Sequence, residues 1–347
     1  MTTRSVRFLP TASSLTLVAC ILLLAALPSS VLGGGHPCGD GVCEGPENES
    51  NCPADCDKTS IGKPVNQQTI LYLGVMIHLE GWHDDKNQNK FEHHARLVRE
   101  YASLFEAYGA KLTWESKEFT DGCIKWGDNV LLEMQRRGHG VGVHADIGGQ
   151  QDYDCARFTS DLRIEKRQLE SLGVTVLHLS GNTSHCDWVI ASAKAGYVFT
   201  TGQVAYSVMS MPEEMRPIEF KNCTNPARCH DVFPTKLEDR IHPWRMNSGA
   251  DWTIPSATGP LVMLAESGSA PENLEDVDAF IVELEEALRL AEPEKVNIYY
   301  VGKSIGSPFD TEVVEQWLQR VQPYVEAGQV IWATLPEMYE AFIAWEN

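Results

Sequence analysis

Two imidazole–carboxylate pairs carry the chemistry legible in this 347-residue sequence: His78 with Glu80 in TILYLGVMIHLEGWHDD, and His144 with Asp146 in RGHGVGVHADIGG. In an extended strand residues two apart share a face, so each pair projects from one side of its own strand, at the carboxyl end. Imidazoles and carboxylates converging at one mouth can hold zinc or another divalent transition metal with a position left open. The alternative is that each histidine is a core residue bonded to its own carboxylate. Two pairs at strand ends weigh toward the metal, with His78, Glu80 and His144 as ligands.

Other groups extend the set. Asp146 or Asp85 can serve as base, and His185, in a loop, as acid; His242 is a further loop histidine. Glu266 closes the apolar run PLVMLAES, so Glu80 with Glu266 or Asp146 forms the carboxylate pair of a glycoside hydrolase that needs no metal. Trp82, Trp188, Trp244 and Trp252 are either surfaces for a sugar or ordinary core.

Elements that place these groups follow from periodicity. Leu71, Leu73, Val75, Ile77 and Leu79 form one aliphatic face, and Tyr72, Gly74, Met76, His78 and Glu80 the other. A strand with one face covered by helices fits an α/β protein, where ligands gather at the carboxyl ends of strands. From residue 69 onward, amphipathic helices stop at glycines and short apolar strands follow. Gly109, Gly138, Gly173, Gly196 and Gly328 mark the stops, and Ser184 with Asp187 reads as a capping box. The rhythm predicts a distorted parallel β/α barrel of about seven strands over 69–347. Residues 212–250, with Cys223, Cys229 and five prolines, interrupt it as a disulfide-pinned excursion over the mouth.

Residues 1–33 read as an export signal: Arg4 and Arg7, an apolar run, then small residues to Gly33. The protein is therefore expected outside the cytoplasm, periplasmic or secreted, touching a membrane only if that segment stays uncleaved or is lipidated at Cys20. Nine of ten cysteines follow the signal, and disulfides are their default state, with one thiol left over. Residues 36–57 form a small module with Cys38, Cys43, Cys52 and Cys56, and 58–68 a polar linker. The module's six carboxylates are either solvated acids on a disulfide-tied spacer or ligands for calcium. A net charge of −20 argues against nucleic acid as a partner.

RGHGVGVHADIGG resembles the stretch of the polysaccharide deacetylases, the NodB-homology family, in which a helix ends in Gly-His and leads into a strand bearing a metal-binding histidine. LHLSGNTSHCDW, AKAGYVFTTG and YVEAGQVIWATLPEMYEAF resemble later segments of that family in the same order, so the likeness runs over about 69–342. Residues 36–57 resemble a short cysteine module found beside catalytic domains of exported proteins. The resemblance implies a metal-dependent hydrolase that removes acyl groups, acetyl above all, from a glycan or amino sugar. His144 carries over as a ligand. The family's Asp-Asp pair is replaced by Glu80, or displaced to Asp84-Asp85; its second histidine is Gly148 here; and its late Leu-x-His has no counterpart in VNIYYVGKSIG. Such departures also fit a barrel that keeps a carbohydrate cleft and has lost turnover.

Overall fold

The computed structural model describes residues 69–79, 83–150, 152–202, 208–221, 233–306 and 310–347. The expected signal, cysteine module and linker lie outside the described residues, as do Glu80, Trp82, Cys223 and Cys229. In chain order the elements are β1 (Leu71–Leu79), α1 (Gln88–Glu106), β2 (Thr113–Ser116), α2 (Glu118–Trp126), α3 (Val130–Arg136), β3 (Gly140–His144), α4 (Cys155–Glu170), β4 (His178–Ser180), α5 (Trp188–Ala195) and β5 (Phe199–Thr201). There follow α6 (Leu237–Arg240), β6 (Trp244–Met246), β7 (Leu261–Leu264), α7 (Leu274–Leu290), β8 (Asn297–Ser304), α8 (Thr311–Glu326), β9 (Val330–Trp332) and α9 (Leu335–Glu346). No helix of the described residues is long and apolar enough to cross a membrane.

The strands form one sheet in the order β6-β7-β5-β4-β3-β2-β1-β8, and β9 also pairs with β1. All pairings are parallel except β6 with β7. β1 pairs with β8 from Leu71 to His78, while its other edge is divided: β9 takes Leu71–Leu73 and β2 takes Met76–Leu79. The ring is completed between β7 and β8 by irregular backbone. There Ser267 donates to the Tyr300 carbonyl, Ala270 to that of Gly302, and Gly302 to that of Gly268. The α/β barrel expected from the sequence is present, with nine strands among the described residues, two of them short additions at its margins.

Strand parity sorts the core as expected. The Leu71, Leu73, Val75, Ile77 and Leu79 face joins the large apolar layer between sheet and helices. Met76 instead joins Phe199, Val262, Leu264, Ile298 and Tyr300 in a second, interior cluster. Helix starts are capped by Asn87, Asn129, Asp154, Asp187, Asn273, Asp310 and Thr334, whose side chains accept backbone N–H groups that otherwise lack partners. Gly196 ends α5 at φ 99°, a left-handed turn that costs glycine nothing.

Two local expectations change. Asp187 alone caps α5, accepting from Ile190 N–H; Ser184 lies too far upstream and instead donates to the Gly148 carbonyl. The 212–250 excursion contributes to the scaffold, since β6 within it extends the sheet antiparallel to β7. Trp188 and Trp252 are fully buried and Trp244 nearly so, which makes these three core residues and not sugar platforms. Among the described residues Cys155 and Cys186 form a disulfide. Cys123 is free and buried, and burial pushes its thiol up to about 12, the state of an inert core thiol.

Candidate metal centre

The centre is built along one row of the sheet. His78 of β1 is in register with Glu115 of β2, and Glu115 with Gly142 of β3. His178 of β4 comes next, since Val143 and His144 pair with Leu179 and Ser180, and His178 itself pairs with Phe199. Because neighbouring strands hold these residues level, their side chains point into the barrel side by side.

Glu115 is the pivot. Its carboxylate is completely buried, with Oε1 accepting from Thr201 Oγ1 at 2.6 Å and facing His178 Nε2 at 3.4 Å. Oε2 lies 3.0 Å from His78 Nε2. Burial pushes the Glu115 carboxyl up, and the contacts to His178 and His78 overcome this and hold it well below the usual carboxylate range. The group is an anion in the interior, anchored through one oxygen and presenting the other to the mouth.

His144, two residues beyond Gly142, lies on the same inward face, its ring 4.3 Å centroid to centroid from that of His78. His144 Nδ1 meets Ser180 Oγ at 2.7 Å and Nε2 meets Asp146 Oδ1 at 3.2 Å. The donor atoms of His78, Glu115 and His144 all lie within 4.8 Å of one another. Two imidazole nitrogens and a carboxylate oxygen suit zinc. The residues present fit a divalent transition metal.

Around this triad lie further charged groups. Asp146, at φ 47°, also receives Lys117 Nζ at 2.7 Å. Burial raises the Asp146 carboxyl, but His144 and Lys117 together keep it well below the ordinary range. Glu266 comes in from the β7–β8 seam. Its carboxylate fills space left by Gly302 and Gly202, where added Cβ atoms would stand 2.1 Å from Oε1 and 3.0 Å from Oε2. Protein surrounds the carboxyl although part of the side chain is open, and burial, with the Glu115 charge adding to it, raises it to about 7 despite His78.

The structure thus brings together His78, His144 and Asp146 of the residues singled out by sequence, with Glu266 beside them. Glu80 falls outside the described residues. Asp85 sits in the turn before α1, where its carbonyl accepts from Lys125 and its charge bears on Asp121 of α2; it is not within the triad. His185 lies against the Cys155–Cys186 disulfide, and His242 meets the Val296 carbonyl and Glu292. Glu115 and His178 are the functional candidates that sequence reasoning passed over. The signal was there: KLTWES ends in a carboxylate with the same inward parity as Thr113, just as PLVMLAES does.

No protein-family model matches the chain, and no curated protein does. Solved structures do resemble it. A protein from Mycobacterium smegmatis described as a polysaccharide deacetylase superposes with a TM-score of 0.52 at 11% identity, covering 81% of this chain and 93% of its own. The fold is that of the polysaccharide deacetylases. Another protein so described, from Pseudomonas aeruginosa PAO1, gives 0.51 at 12% identity over 80% of this chain and 94% of its own. PuuE allantoinase gives 0.51 at 13% identity over 82% and 95%. Within this deacetylase fold the present chain places a glutamate of β2 between two histidines.

His178 reaches Glu115 only because position 142 has no side chain: a Cβ there would stand 2.1 Å from His178 Nε2. Gly142→Ala should therefore force the imidazole off Glu115 and destabilise the fold by about 1–3 kcal/mol, as overpacking does. Denaturant unfolding checks this, and a variant as stable as wild type would mean that His178 is not held there.

Proposed function

We propose that the chain is an exported, metal-dependent hydrolase that removes an acyl group, acetyl foremost, from a glycan or amino sugar. The observation that carries the reading is the His78–Glu115–His144 triad at the barrel mouth, set in a deacetylase fold. These three residues would hold a divalent transition metal, zinc first among them, which when bound supplies Lewis acidity to an acyl carbonyl. Asp146, kept ionised by His144 and Lys117, is the base for a water proton. Glu266, whose carboxyl burial raises to about 7 in the metal-free protein, would return a proton to the leaving amine or alcohol. It takes the role that the sequence alone gave to His185.

The divergence of Glu266 and Asp146 also favours a second reading, a glycoside hydrolase with one carboxyl protonated and one ionised. Metal dependence separates the two. Elemental mass spectrometry of untagged wild type should find about one transition-metal ion per chain at the barrel, absent from His144→Ala, and acetylated glycans should lose acetate only with metal present. Glycan cleavage that survives chelation supports the carboxylate pair. Metal-free protein that binds glycans without turnover supports a carbohydrate-binding barrel.

A further inference from the structure

Cys155, His185 and Cys186 take no part in the chemistry proposed above. Cys155 is the exposed first residue of α4, a 16-residue helix; Cys186 is buried, immediately before Asp187, the cap of α5. Their disulfide joins the two places with the Cα atoms 5.4 Å apart. His185 Nε2 stands 3.5 Å from Cys155 Sγ and 3.8 Å from Cys186 Sγ. Its Nδ1 is buried without a hydrogen-bond partner among the described residues.

An imidazole nitrogen turned to both sulfurs gains little from the oxidised pair, because sulfur is a weak hydrogen-bond acceptor. Two thiolates change that balance. The three donor atoms lie within 4.8 Å of one another, and cysteine and histidine are the ligands zinc prefers. Sulfurs sharing a tetrahedral ion at about 2.3 Å stand about 3.8 Å apart, a spread that side-chain rotation can reach from the present Cα positions. The N-terminus of α4 favours an anionic Cys155, and two thiolates with a neutral imidazole balance a divalent charge.

We propose that reduction converts the Cys155–Cys186 disulfide into a Cys2His site for a borderline or soft divalent ion such as zinc, cobalt or cadmium, separate from the barrel triad. Two equivalents of a small thiol supply two electrons and two protons and leave as their own disulfide, giving the Cys155 and Cys186 thiols. The ion then displaces both thiol protons. The start of α4 and the segment before α5 stay joined in either state, by a covalent bond or by a metal ion.

The test uses the full chain, reduced with excess small thiol, freed of it without air, and titrated with cobalt(II). Only thiolate ligands give the intense sulfur-to-cobalt absorption, so the barrel triad does not interfere. Reduced wild type should bind one more thiolate-ligated cobalt per chain than the reduced Cys155→Ser/Cys186→Ser double variant, which leaves every other cysteine in place. His185→Ala should weaken that ion at least roughly 10-fold, as loss of a ligand or its support does. Equal cobalt stoichiometry in wild type and double variant would overturn the proposal. So would unchanged affinity in His185→Ala, or thiol labelling that finds the pair still joined after reduction of the folded protein.

Discussion

Glu115→Gln should empty the barrel centre of its transition metal and lower turnover by at least about 100-fold. An amide has the shape of the carboxylate but not its charge, and charge is what His78 and His178 hold in place from either side. Thr201 can still donate to the amide oxygen, so the packing is preserved while the ligand is lost. Glu115→Ala goes further, since it leaves two imidazoles facing a void, and breaking a buried ionic cluster on one side costs about 3–5 kcal/mol. Metal content, turnover and denaturant unfolding of both variants check these statements. A glutamine variant with full metal and full activity would remove Glu115 from the centre.

Glu266→Gln should change the pH dependence of stability as well as of turnover. In the metal-free folded protein burial raises this carboxyl from 4.5 to about 7, so between those values the folded state keeps a proton that the unfolded chain releases. Its stabilising contribution is therefore complete below about pH 4.5 and is lost as pH rises through about 7. With part of the side chain open to solvent, the loss should be about 1–3 kcal/mol. Glutamine cannot titrate. Metal-free wild type should thus lose stability relative to the variant between pH 5 and pH 8, by unfolding in denaturant. Turnover of the variant should be slower by roughly 100-fold or more and lack any alkaline limb that loss of the Glu266 proton gives the wild type. Parallel pH profiles for the two proteins would show that Glu266 neither titrates there nor passes a proton.

Strand parity was legible in the sequence and register was not. The alternation in TILYLGVMIHL places His78 inward, and that in GVGVHAD places His144 inward with Asp146 following; both stand so in the structure. His144 does meet the carboxylate that follows on its own strand, but seeking the neighbours of His78 along one strand treats that strand as if it were alone. In the sheet the nearest inward neighbour of His78 is level with it on β2, and local sequence does not say which residue that will be. Gly142 is the clearest instance: within its strand it is only a small residue, while across the sheet it is the opening through which His178 reaches Glu115. Asp85 is chosen through the family's Asp-Asp pair and His185 because its loop could reach the mouth, and loops have no period from which to infer a direction.

The two walls of the mouth are secured differently. His78 lies on a strand bonded along both edges to its end, whereas Glu266 borders the irregular β7–β8 seam, held by a few backbone bonds around Gly268 and Gly302. Segments with few ladder bonds open at lower free energy than the sheet they interrupt. Amide protons of the seam should therefore exchange ahead of those in β1 and β2. Opening would thus be confined to the Glu266 side of the mouth, leaving the side of His78 and Glu115 fixed.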